Sequence, residues 1–247
     1  MIFDNYYIKG CIAGMSGIVL SHPVDSLKTH FQTTKNLKFN YSIRNLYSGI
    51  TSPLIGVGFE KAIVFGTYNY CRNNQLNIPI SGAISGLVAS MIVSPYERIK
   101  IMKQTNQIIR MKQYFNPNFM FRGLSATFTR EVPGFAIYFS TYEGLKNHFY
   151  KNKEISILSS FIFGGMSGTV AWIFIYPQDR IKTILQSNNQ LTVRSIIKST
   201  INGGLYKGFS FAVGRAILLH SGTFATMEIL NKYSGYSEFS EFNKVIY

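Results

Sequence analysis

Long apolar runs alternate with short polar stretches along the whole chain, and six of the runs have the length of a membrane-crossing helix. They lie at residues 6–31, 51–72, 78–104, 124–149, 155–186 and 209–231. The fifth, containing ISILSSFIFGGMSGTVAWIFIYP, is the clearest. The odd-numbered runs open on glycines four apart, Gly10 and Gly14, Gly82 and Gly86, Gly164 and Gly168, a spacing that lets helix backbones approach closely in lipid. The pattern predicts an all-α membrane protein.

Internal repetition organises these runs. Three segments align without gaps: HPVDSLKTHFQ from His22, SPYERIKIMKQ from Ser94 and YPQDRIKTILQ from Tyr176. Each reads Pro-x-acid-x-x-Lys-x-x-x-Gln. An aromatic-x-Gly marker follows each one, ending at Gly49, Gly123 and Gly208, or 26, 28 and 31 residues after prolines 23, 95 and 177. The unit is an apolar helix, the proline motif, a polar linker helix, the glycine marker and a second apolar helix. Three such units are expected, at 1–75, 76–152 and 153–247.

Composition refines this picture. Of 247 residues 46% are hydrophobic, yet mean hydropathy is only +0.08, as for spans whose inner faces line an aqueous cavity. Twenty-five Lys and Arg against 11 Asp and Glu give a net charge of +14, which suits nucleic acid, anionic lipid or anionic solutes. Many of the cations fall between apolar runs, as Lys35, Lys38 and Arg44 or Lys146, Lys151 and Lys153 do, which favours a lipid headgroup surface over a nucleic-acid footprint. Cys11 and Cys71 sit in apolar segments without metal-ligand spacing, so no metal or cofactor is expected. Four scattered histidines supply no nucleophile and base, which argues against an enzyme. No Arg-rich leader precedes the first apolar run, and targeting information is expected within the body of the chain.

Pro-x-acid-x-x-basic three times, each followed by aromatic-x-Gly, resembles the mitochondrial carrier family over nearly the whole chain. The resemblance implies six transmembrane helices, built as three tandem two-helix repeats with pseudo-threefold symmetry around a central cavity that opens alternately to either side. It also implies a multi-pass place in the mitochondrial inner membrane, termini on the outer side, one transport domain working as a monomer, and neighbouring anionic lipid such as cardiolipin. No nucleic-acid partner is expected.

A proline within a membrane helix removes one backbone hydrogen bond and kinks the helix, so Pro23, Pro95 and Pro177 are expected to draw three helix ends toward a common axis. Asp25 and Lys28, Glu97 and Lys100, and Asp179 and Lys182 stand at i and i+3, where pairing within each helix is one possibility. The resemblance implies a ring between repeats instead: Asp25 with Lys100, Glu97 with Lys182, Asp179 with Lys28. Gln32, Gln104 and Gln186 resemble the family's braces across this matrix-side gate. Ion pairs in a wet cavity are each worth about 0–1 kcal/mol, which suits a gate that opens every cycle.

The family's outer gate repeats aromatic-acid-x-x-basic on the even helices. Here the equivalents are Asn69 with Arg72, Glu143 with Lys146, and Glu228 with Asn231, and only the middle copy is intact. A weaker outer closure is expected; ordinary helix-end charges at the headgroups are the alternative.

Counting back 13 residues from Asn69, Glu143 and Glu228 gives Gly56, Arg130 and Arg215, which resemble the family's substrate contact points. About one turn further stand Lys61, Phe135 and His220, and Glu131 follows Arg130. The expected substrate-binding set is Gly56, Lys61, Arg130, Glu131 and Arg215, because ionisable groups inside apolar spans mark function. The competing reading is local neutralisation of Arg130 by Glu131, or of Lys61 by Glu60, although adjacent helical residues do not face each other. The Arg130-Glu131 dipeptide resembles the amino-acid, ornithine and carnitine branch. Against it, three cations exceed Glu131, and Phe135, Tyr138 and Phe139 can offer a face to a base. The expected cargo is a nucleotide or deoxynucleotide, with an amino-acid, ornithine or carnitine-like solute as the alternative and an ion-dissipating carrier as a reading of another class.

Overall fold

The computed structural model describes residues 5–33, 42–104, 117, 121, 124–151, 153–187, 206 and 209–234; within its helices, the side chains of 27–33, 96–104, 126, 180–187 and 211 lie outside the description. Six long helices account for most of it: α1 (Tyr6–Thr33), α3 (Thr51–Asn73), α4 (Ile78–Gln104), α5 (Leu124–Tyr150), α6 (Ile157–Ser187) and α7 (Phe209–Tyr233). A one-turn helix, α2 (Ile43–Leu46), stands in the first polar linker, capped by the Ser42 side chain, which accepts from the Asn45 amide. The spans read from apolar runs agree with these bounds to within two residues at either end. Among the described residues there are no strands.

Each long helix packs against two others, α1 on α3, α3 on α4, α4 on α5, α5 on α6, α6 on α7 and α7 back on α1, so the six close into a ring. Lys9 Nζ, near the start of α1, donates to Asn231 Oδ1 at 2.9 Å and Ser234 Oγ at 2.8 Å at the end of α7. The chain therefore enters and leaves the ring at one end of the bundle.

The glycine spacing explains how the hairpins close. A Cβ at Gly10 would stand 2.5 Å from the Lys61 carbonyl oxygen, one at Gly82 2.6 Å from that of Phe135, and one at Gly164 2.7 Å from that of His220. Residues 61, 135 and 220 are the positions that the repeat alignment makes equivalent. The same backbone-to-backbone contact is thus made three times, once per repeat, and only a residue without a side chain allows it.

The two recurring motifs also meet in space. His22, just before Pro23, stacks on Tyr47 with ring centroids 6.1 Å apart and donates from Nε2 to the Ser48 carbonyl at 3.1 Å; Tyr176, just before Pro177, stacks on Tyr206 at 6.0 Å. The residue preceding the proline thereby holds the aromatic of the glycine marker in the first and third repeats. Gly49 itself has φ +78°, a left-handed turn that a side chain disfavours. Helices α1, α4 and α6 continue through Pro23, Pro95 and Pro177, and α5 contains a further proline, Pro133, just past Arg130 and Glu131.

Apolar side chains point outward as well as inward. Ile55, Phe59, Ile80, Leu87, Met91, Leu158, Ile162, Met166 and Phe174 are exposed on the perimeter, a placement suited to lipid and costly in water. Among the described residues, two stretches, Ile78–Pro95 and Ile157–Asp179, are long and apolar enough to cross a bilayer by themselves. The remaining helices carry charged residues along the same length, such as Glu60 and Lys61 or Arg130 and Glu131, and these turn toward the interior.

Candidate substrate cavity

Inside the ring lies a cavity of about 260 Å³ whose wall includes Gly56, Glu60, Lys61, Arg130, Glu131, Phe135, Tyr138, Trp172, Arg215 and His220. The five residues expected to bind substrate, Gly56, Lys61, Arg130, Glu131 and Arg215, all line it. Helices α3, α5 and α7 each bring their counterpart of position 56, so repeat counting located the cavity.

Its electrostatics differ from the cation surplus read from sequence. Arg130 Nη1 donates to Asp179 Oδ1 at 2.9 Å, and its other terminal nitrogen contacts the Glu131 carboxylate. The adjacent pair does meet, contrary to the expectation from helix geometry. Arg215 Nε donates to Asp25 Oδ2 at 2.9 Å, which leaves its two terminal nitrogens for a second partner. Lys61, only 3% exposed, has its ammonium 4.7 Å from the centre of the Phe135 ring, 5.4 Å from that of Tyr138 and 3.9 Å from Glu60 Oε1. Tyr138 in turn shares a 3.1 Å hydrogen bond with His220 Nδ1. Two of the aromatics expected to face a base, Phe135 and Tyr138, are therefore occupied by a lysine of the protein itself. Phe139, the third, is 1% exposed beneath Tyr68 and does not line the cavity.

Of the gate residues at the end away from the termini, Asp25 and Asp179 both reach the cavity arginines. Their expected lysine partners Lys100 and Lys28, the pair Glu97 and Lys182, and the braces Gln32, Gln104 and Gln186 lie outside the described side chains.

Toward the termini, the cavity is covered by rings. Tyr68 of α3 stacks on Phe139 of α5 with centroids 3.8 Å apart, Tyr142 of α5 stacks on Phe224 of α7 at 3.5 Å, and Phe65 sits edge-on to both Phe139 (5.4 Å) and Phe224 (5.8 Å). All three even-numbered spans meet there. Aromatic pairs contribute about 0.5–1.5 kcal/mol each beyond their buried area, at least as much as exposed ion pairs. Asn69 and Asn231, which stand where the family's outer-gate pattern has an acid and a base, thus lie on helices joined by an apolar cover, which the charge pattern did not reveal. Asn231 accepts from the buried Lys9, a residue that sequence reasoning missed because it stands alone near the start of the first span. Arg72 donates to the Leu76 carbonyl just beyond its own helix.

A closed ring of six helices in three glycine-packed hairpins, apolar outside and charged within, defines a membrane solute carrier. The model of the mitochondrial carrier protein family matches residues 3–79, 115–153 and 153–237, and the chain belongs to that family. It is a multi-pass protein of the mitochondrial inner membrane. The chain is 28% identical to a mitochondrial glycine transporter of Saccharomyces cerevisiae, across 92% of this chain and 91% of the relative. It is 27% identical to a mitochondrial arginine transporter of Arabidopsis thaliana, across 90% and 89%. It is 26% identical to a mitochondrial basic amino acids transporter of Bos taurus, across 92% and 91%. The expectation of a nucleotide cargo finds no support among these relatives, which are named for amino acids.

Proposed function

We propose that this carrier moves an amino acid across the inner membrane by alternating access. The observation that carries the reading is the division of labour in the cavity: Arg215 keeps its terminal guanidinium nitrogens for an incoming carboxylate, while Glu131, which meets Arg130 through Oε1, offers its second oxygen to an ammonium. Arg130 is shared between Asp179 and Glu131, and Lys61 lies under two rings, so the several cations that a polyphosphate requires are already engaged. A cavity of about 260 Å³ accommodates a small solute. The amino-acid cargoes of the relatives support the same class.

In this reading the end that carries the termini faces the intermembrane space, the aromatic cover closes it, and Asp25 and Asp179 link the cargo site to the opposite gate. The test is uptake into proteoliposomes of labelled amino acids and of labelled deoxynucleotides. Amino-acid uptake is expected, without competition by nucleotides. Nucleotide uptake that amino acids fail to inhibit overturns the reading.

A further inference from the structure

We infer that Lys61 acts as a built-in substitute for the side-chain cation of a basic amino acid, so that the carrier selects amino acids with uncharged side chains. The inference rests on the amino-acid reading of the cavity and narrows it. Two aromatic faces converging beside a carboxylate form a seat for an ammonium group, because ring quadrupoles and a negative charge attract the same ligand. The cavity wall contains one such seat, made by Phe135, Tyr138 and Glu60, and Lys61 Nζ fills it at 4.7, 5.4 and 3.9 Å respectively.

The seat is well built. Phe135 is 6% exposed and Tyr138 2%, and Tyr138 shares a hydrogen bond with His220, so both rings are packed within the protein beside the lysine. A buried charge within a membrane span is costly and is retained where it performs a task. An ornithine or lysine seated with its carboxylate at Arg215 would bring a second ammonium toward an occupied seat and a like charge. Like-charge juxtaposition within a binding site acts as a device against the wrong ligand. A neutral side chain of the same length meets no such repulsion.

The experiment compares norvaline with ornithine, which share a carbon chain and differ in the terminal amine, as competitors of labelled alanine uptake in proteoliposomes. Wild-type protein should prefer norvaline by about tenfold or more, as expected when one like-charge contact is imposed. In Lys61→Met, which keeps length and removes charge, the vacated seat should accept the ornithine amine and the preference should fall to parity or invert. Lys61→Arg should keep the wild-type ratio. Equal or better competition by ornithine in the wild type overturns the inference without any variant, as does an unchanged ratio in folded Lys61→Met. Absence of uptake of every amino acid, alongside uptake of nucleotides, would instead sink the amino-acid reading itself and this inference with it.

Discussion

Arg215 and Glu131 carry opposite halves of the proposed recognition, and their substitutions separate charge from geometry. Arg215→Lys keeps a cation but loses the planar fork that can hold Asp25 and a substrate carboxylate together. Uptake efficiency should fall about tenfold or more with the melting temperature little changed, since the ion pair with Asp25 is partly exposed. Glu131→Gln removes an ammonium acceptor and one of the two carboxylates beside Arg130. Amino-acid uptake should be nearly abolished, and substrate should no longer raise the melting temperature of the purified variant. A carrier of polyphosphates would tolerate that change, so unimpaired transport by Glu131→Gln would return the cargo to the anionic class.

At the scale of helices, the glycines divide by what surrounds them. Gly82→Ala would push a methyl against the Phe135 carbonyl on the neighbouring helix, where backbone has nowhere to yield. Overpacking of this kind costs about 1–3 kcal/mol, and the equivalent changes at Gly10 and Gly164 should cost alike because the contact is repeated. Among the described residues, a Cβ at Gly144 would meet no neighbour within 4 Å, so Gly144→Ala should gain the helix propensity of alanine, about 0.5–1 kcal/mol. Thermal melts of the detergent-solubilised variants distinguish these signs. A stabilising Gly82→Ala would mean that the hairpin is looser than the geometry here.

The whole molecule closes one end of its cavity with aromatic rings contributed by all three repeats. Phe224 is central, stacked on Tyr142 and in edge contact with Phe65, so Phe224→Ala should open that end. A cysteine placed at Gly56, on the cavity wall, with Cys11 and Cys71 replaced by serine, reports the change. A membrane-impermeant thiol reagent added from the side of the termini should label it slowly in the parent and markedly faster with Phe224→Ala. Equal labelling in the two would place the closure elsewhere. High salt should alter parent labelling little, since stacking is not screened as ion pairs are.

The sequence alone determined the six spans, their threefold repetition and five residues that line the cavity, because each rests on a local or periodic signal: apolar length, the proline motif, and a fixed count along equivalent helices. Gly10, Gly82 and Gly164 were legible for the same reason, as a spacing that recurs. The tertiary structure decided which charges remain available to a ligand. Asp25 and Arg215 are 190 residues apart, Arg130 and Asp179 are 49 apart, and no local pattern couples them. Counting cations along the chain suggested an anionic cargo; counting them after the helices had met their partners did not. Likewise the ammonium of Lys61 found Phe135 and Tyr138 on another helix, and the even-numbered spans found one another through rings whose spacing reads as ordinary core. A one-dimensional pattern records which face a residue occupies, whereas electrostatic pairing and ring stacking depend on which faces the fold brings within a few ångströms.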